Sequence, residues 1–244
     1  MRAAVARELA SPGGEELTGI YTGIAAYYSA KVARFGATPS GVDWTCQATQ
    51  EMRFVQLLKL CDFASPFSLN DLGCGYGALI AYLDRRHDDC AVDYLGIDVS
   101  DAMLRRARRL WRDRSNAAFT LGHASTRMAD YAIASGIFNV AQDQPRHDWE
   151  RFIVASLDDL HRNTRRGFAV NFMKRQAGAT ARHGLYTTDT ASWARYCATR
   201  FNAIAEVHDG YGLMEFTLIV RKIQRSRPHA PTDSRRRVSS SSRR

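Results

Sequence analysis

Three glycines, Gly73, Gly75 and Gly77, alternate in the stretch Asp71-Leu72-Gly73-Cys74-Gly75-Tyr76-Gly77, with an acid two residues ahead of the first. Glycines at this spacing let a backbone turn sharply and approach a ligand closely. A strand leading into such a loop and a helix leading out place backbone N–H groups at a helix N-terminus, facing that ligand. A second acid, Asp98, ends the next apolar run, Val92 to Ile97, where a carboxylate can grip both hydroxyls of a ribose. Gly73, Gly75 and Ala78 also satisfy the dinucleotide pattern G-x-G-x-x-G/A, so a nicotinamide or flavin enzyme is a rival reading. The charge of the ligand separates the two. Asp71 repels a pyrophosphate and attracts a cation.

Alternating elements are needed to hold these residues. The spacing of apolar residues predicts helices over about Glu15–Phe35 and Cys46–Leu60, separated by Thr38-Pro39-Ser40-Gly41. Strands are expected at Phe67–Leu72, Val92–Ile97, Ala117–Leu121, Tyr131–Phe138 and Gly167–Met173. Helices are expected at Ala78–Arg85, after an N-cap at Ser100, and at Trp149–Leu160 and Ser192–Thr199. Asn202–His208 and Leu213–Lys222 read as a hairpin. The pattern predicts a doubly wound α/β fold, a mostly parallel seven-stranded Rossmann-like sheet with an antiparallel terminal strand. The arginines of the helix after Ser100 (105, 106, 108, 109, 112 and 114) fall off its apolar stripe and read as a solvated face. His87, His147 and His161 read as solvent-facing.

The glycine loop, taken with Leu95-Gly96-Ile97-Asp98-Val99-Ser100, resembles the first two motifs of class I S-adenosylmethionine-dependent methyltransferases. Ala129-Asp130-Tyr131-Ala132-Ile133-Ala134-Ser135-Gly136 is similar to the fourth-strand motif of that family. The resemblance extends over about residues 46–222 and implies S-adenosylmethionine as cofactor, S-adenosylhomocysteine as product, and no metal. It places Asp71, Gly73, Gly75 and Gly77 against the methionine moiety, Asp98 on the ribose and Val99 on the adenine. His123 stands where the family often carries an acid, leaving the backbone of Ala124 as a further adenine contact. Ser135 and Gly136 would floor the site near the transferred group.

On the substrate side, methyl transfer needs orientation more than acid–base chemistry, and a base only where the nucleophile must lose a proton. Candidate catalytic residues are His183, as a base, and Tyr186, as an orienting hydroxyl, in the polar loop after the fifth strand; Arg182 could bind a carboxylate. Asn139, Gln142 and Asp143 follow the fourth strand and are comparable candidates. The family places a helical lid at the N-terminus, making Tyr27, Tyr28, Trp44 and Arg53 candidates for closing over the cofactor. These divide the chain into residues 1–45, an N-terminal segment and lid; 46–224, the cofactor-binding domain; and 225–244, a disordered basic tail.

Composition bounds the rest. The 244 residues are 45% hydrophobic, ample for a core. The net charge of +9 is nearly all terminal: Arg221–Arg244 holds nine Lys/Arg against one acid, leaving +1 for the first 220 residues. A near-neutral domain argues for a small-molecule substrate over nucleic acid, which the tail could meet only through phosphates. Five cysteines without a CxxC pair imply neither a disulfide framework nor a zinc site. No window has the length of a membrane span, so a cytoplasmic protein is expected. Three rival functions share these features: aminocarboxypropyl transfer or cyclisation from the same cofactor, RNA methylation, and cofactor binding without turnover. The oligomeric state is not encoded in any feature of the sequence.

Overall fold

The computed structural model describes residues 14–176, 178 and 183–223. Helix α1 (Gly14–Phe35) and a 3-10 turn (Pro39–Val42) precede α2 (Gln47–Leu57). The alternating part follows: β1 (Phe67–Leu72), α3 (Ala78–Arg86), β2 (Val92–Asp98), α4 (Asp101–Leu110), β3 (Ala117–Leu121) and β4 (Ala129–Ala134). Then come β5 (Val140–Gln142), α5 (Arg146–Arg162), β6 (Thr164–Met173), β7 (Gly184–Leu185), α6 (Thr190–Phe201), β8 (Ala203–His208) and β9 (Glu215–Lys222).

Seven strands form one sheet in the order β3-β2-β1-β4-β6-β9-β8. β3, β2, β1, β4 and β6 are parallel, and β9 runs antiparallel to both of its neighbours. The last strand therefore inserts between β6 and β8, which leaves β8 at the edge. Position explains composition: β9 carries the continuous run Phe216-Thr217-Leu218-Ile219-Val220, fully buried, whereas β8 is half-buried. The strand order reverses between β1 and β4. Open α/β sheets bind ligands at the carboxyl ends of strands at such a reversal, and the glycine loop leaves β1 there.

Two apolar clusters cover the sheet. One joins Leu17 and Ile20 of α1 with Trp149, Phe152 and Leu157 of α5 and Trp193 of α6; the other joins Phe54 and Leu57 of α2 with Leu79 and Ile80 of α3. α4 begins as expected, with the Ser100 hydroxyl accepting a hydrogen bond from Met103 N at 3.2 Å. No helix among the described residues is long and apolar enough to cross a membrane.

Three expectations change. The fourth strand spans Ala129–Ala134 rather than Tyr131–Phe138, because Gly136 at φ 78° turns the chain out of the sheet. β5 and β7 form a small antiparallel sheet that two- and three-residue strands do not announce in sequence. His87 and His161 are half-buried, each stacked on a phenylalanine: His87 on Phe63 at 3.7 Å and His161 on Phe201 at 4.3 Å.

Candidate active site

The turn after β1 is held by the neighbouring strand. Ile97 O accepts hydrogen bonds from Gly73 N at 2.7 Å and Cys74 N at 3.1 Å. Gly73 has φ 76°, and a Cβ there would lie 2.2 Å from Ile137 Cγ2, so a side chain is excluded twice. Gly77 serves a different surface from the one expected. It caps α3 in a left-handed conformation, and a Cβ on it would meet Trp111 Nε1 at 2.6 Å. It therefore seats the helix against Trp111, away from the cavity that Gly73 and Gly75 line.

Two buried acids stand beside this loop. Asp98 accepts from Gly75 N and from Ser100 N, both at 2.8 Å, so its carboxylate ties the glycine loop to the start of α4. Burial pushes its pKa up to about 6 against the pull of these N–H groups. Asp71 accepts from the Tyr94 hydroxyl at 2.7 Å. Burial first, and then the Asp98 charge, push Asp71 up to about 7, with the Tyr94 bond opposing. At neutral pH, Asp71 is thus poised between its charged and neutral forms, and a nearby cation draws the proton off.

These groups line a cavity that is partly open to solvent. Val99, His123 and Ser135 also line it, and Ala124 does not. His123 stacks on Tyr21 of α1 at 4.1 Å, so its ring is a wall of the cavity. The buried Ser135 Oγ has no hydrogen-bond partner in the protein. An orphaned hydroxyl and two acids beside the glycine loop match a polar, cationic nucleoside, and no Lys or Arg lines the cavity to offer a phosphate a counter-charge.

A second cavity adjoins the first, and Tyr28, Val42, Trp44 and Gly136 line both. Trp44 lies against Gly136 so closely that a Cβ there would be 2.4 Å from the indole Cζ2. Behind the indole, the Arg53 guanidinium sits 3.7 Å from the ring centroid. Arg53 is itself 7% exposed, and its Nε and Nη2 donate to Glu215, with Nη2 at 2.5 Å from Oε1. Glu215 also accepts from Asn171 Nδ2, and Asn171 Oδ1 accepts from Gly136 N at 2.7 Å. α2, β9, β6 and the turn after β4 are thereby closed into one buried network around Trp44.

The other candidates on this side divide. Tyr27, Tyr28, Asn139, Gln142, Asp143 and His183 all line the second cavity. His183 is exposed, with Nε2 3.3 Å from Asp143 Oδ1. Tyr186 is corrected: it lines neither cavity, is 4% exposed, donates to Glu150 Oε1 at 3.0 Å and accepts from Trp193 Nε1 at 3.1 Å. The apolar packing around Trp193 claims its ring, and its hydroxyl is already satisfied. Arg182 lies outside the described residues, as do 1–13 and the tail. Asp43 and Glu215 were missed. Asp43 is a non-glycine residue at φ 61° that pairs with Lys31 Nζ at 2.5 Å, and its place beside Trp44 was its only sequence signal. Glu215 carried none.

A family model described as Methyltransferase domain matches residues 70–167. The Mycobacterium tuberculosis (strain ATCC 25618 / H37Rv) protein "Putative methyltransferase Rv1506c" is 44% identical over 167 residues, 68% of this chain and 99% of that one. Magnesium protoporphyrin IX methyltransferase from Synechocystis PCC 6803, with bound SAH, superposes with a TM-score of 0.61 at 14% identity, over 85% of this chain and 100% of that chain. Haemonchus contortus phosphoethanolamine N-methyltransferase 1, in complex with phosphoethanolamine and S-adenosylhomocysteine, gives 0.60 at 10% identity, over 83% and 49%. At these identities the two structures speak for the fold.

Proposed function

We propose, from the premise that the chain belongs to the class I S-adenosylmethionine-dependent methyltransferases, that it methylates a metabolite-sized molecule seated in the second cavity. The cofactor is S-adenosylmethionine, which supplies a methyl group activated by positive sulfur. The observation that carries the proposal is the pair of adjoining cavities with Tyr28, Val42, Trp44 and Gly136 common to both. One cavity suits the cofactor. The other, bordered by α1 and the Trp44 loop and open to solvent, is where the acceptor would sit.

In this reading Asp98 keeps its two backbone bonds and offers its remaining lone pairs to ribose hydroxyls. Asp71 stands toward the cationic end, Gly73 and Gly75 approach with bare backbone, and Ser135 Oγ gains the partner it lacks. Val99 and the His123–Tyr21 stack flank the adenine. Trp44, wedged between the Arg53 cation and Gly136, sets the line along which the acceptor approaches. Complete orientation of acceptor and methyl donor can remove about 7–11 kcal/mol of barrier. His183, solvent-open beside Asp143, would take the proton of an acceptor that must lose one. The described part of residues 1–45 acts as the lid and that of 46–224 as the catalytic domain, and Arg105 of α4 and Arg114 beyond it pair locally with Asp101 and Asp84.

The test is product analysis with purified protein, S-adenosylmethionine, and parallel panels of metabolites and total RNA. S-adenosylhomocysteine released with a metabolite gaining one methyl group supports the proposal. Methylthioadenosine as the by-product points to aminocarboxypropyl transfer. Methyl incorporation into RNA alone overturns the small-molecule acceptor.

A further inference from the structure

Asn139 is buried at 4% exposure, and all of its polar groups but one are spent. Its backbone N donates to Gly136 O at 3.2 Å, and its backbone O accepts from Tyr186 N at 2.9 Å. Its side-chain Oδ1 accepts from Met173 N at 3.1 Å. That last bond fixes the amide's orientation, because a backbone N–H requires an oxygen opposite it. Nδ2 is consequently held in place, and it has no hydrogen-bond partner in the protein. Asn139 lines the second cavity, beside Gly136 and Trp44 at its junction with the first. A buried donor without an acceptor is a standing cost, which Asn139 bears while its Oδ1 satisfies Met173 N. The neighbouring acids do not relieve it: Glu215 is engaged by Arg53 and Asn171, and Asp43 Oδ2, although itself without a partner, makes no bond to Nδ2.

We propose that Asn139 determines acceptor specificity: its Nδ2 donates a hydrogen bond to an oxygen of the methyl acceptor, so that the acceptor carries a carbonyl, carboxylate or hydroxyl oxygen close to the methylated atom. The proposal rests on the reading of the second cavity as the acceptor site. Asn139 is a binding group and moves no proton. The aromatic side chains of Tyr27, Tyr28 and Trp44 around it favour an acceptor in which this oxygen sits on a flat or apolar frame.

The test uses three neutral monosubstituted benzenes on full-length protein saturated with S-adenosylhomocysteine, followed by NMR titration. Acetophenone carries an accepting oxygen, benzyl alcohol can accept or donate, and toluene does neither. The wild-type protein is expected to bind acetophenone and benzyl alcohol about ten-fold more tightly than toluene. In Asn139→Leu, that preference should collapse to about one. In Asn139→Asp at pH 8.5, which keeps the acceptor for Met173 N, acetophenone should fall to the toluene level while benzyl alcohol, by donating, holds its affinity. S-adenosylhomocysteine affinity and Tm serve as readouts that a merely structural role would move. Equal binding of toluene and acetophenone by the wild type, or a preference that survives in Asn139→Leu, overturns the proposal. The probe result and the metabolite panel are independent: probes that behave as expected while RNA alone is methylated refute the small-molecule reading without touching Asn139.

Discussion

Replacing Asp98 by Asn should flatten the pH dependence of stability in the ligand-free protein. Burial raises its carboxyl from 3.8 to about 6, outweighing the N–H groups of Ser100 and Gly75 that favour the charge. With a folded-state pKa above the unfolded one, the folded protein binds more protons. Stability present near pH 4 is then lost as the pH rises through about 6. A rise of about two pH units, at about 1.4 kcal/mol each, amounts to about 3 kcal/mol. For a domain of this size that is roughly 6–12 °C in Tm. Other groups titrate in the same window. Burial lowers His161 to about 4, which makes stability grow between about pH 4 and 6.5, and Asp71, raised to about 7, adds to the Asp98 trend. The informative quantity is the difference between wild type and Asp98→Asn, in which His161 cancels. Asn can accept only one of the two N–H bonds, an offset that does not depend on pH. Calorimetric unfolding from pH 4.5 to 8 should show the wild type losing about 2 kcal/mol relative to the variant, the rest of the effect lying below pH 4.5. Parallel curves would refute the assignment of Asp98 as a carboxylate that the fold charges at a cost. Ribose hydroxyls donating to that carboxylate would lower its pKa. S-adenosylhomocysteine binding near pH 6 should therefore release protons, seen as binding heats that differ between buffers of different ionisation enthalpy.

Glu215→Ala strands the Arg53 cation in a 7% exposed site and should cost about 3–5 kcal/mol, read as a lower Tm; adding Arg53→Met should recover part of it. Tyr186→Phe removes the bonds to Glu150 and Trp193 and should lower stability by about 1–2 kcal/mol with kcat within two-fold of wild type; a large loss of kcat would restore Tyr186 to the reaction. Gly136→Ala places a methyl group inside the Trp44 ring and requires φ 78°, so acceptor turnover should fall at least ten-fold while the fold persists by circular dichroism. Gly73→Ala, blocked by Ile137, should abolish S-adenosylhomocysteine binding in a calorimetric titration, whereas Gly77→Ala should show its loss mainly in Tm, through Trp111.

The glycine-loop cavity was legible because its signals are local in the chain. The acid two residues before Gly73, the glycines themselves, the Asp98 strand end and the Ser100 cap depend on backbone geometry within a few residues, and a single sequence carries that information. Asp71, Gly73, Gly75, Asp98, Val99, His123 and Ser135 all reach one cavity. Gly77 misled because two glycines of one loop look alike in sequence, and only the position of Trp111, 34 residues on, turns one of them outward. Tyr186 misled in the same way: a tyrosine in a polar loop reads as exposed until α6 brings Trp193 against it.

By itself, the sequence determined the alternating elements, the turn at the strand reversal and the sign of the charge waiting there, since periodicity, caps and glycine spacing act over one or two turns of chain. Only the tertiary structure decided which side chains face one another. Arg53 and Glu215 are 162 positions apart, and Asn171 and Gly136 are 35 apart. The insertion of β9 between β6 and β8 puts Glu215 within reach of Arg53, and the register of that strand carries no trace in the residues that it joins.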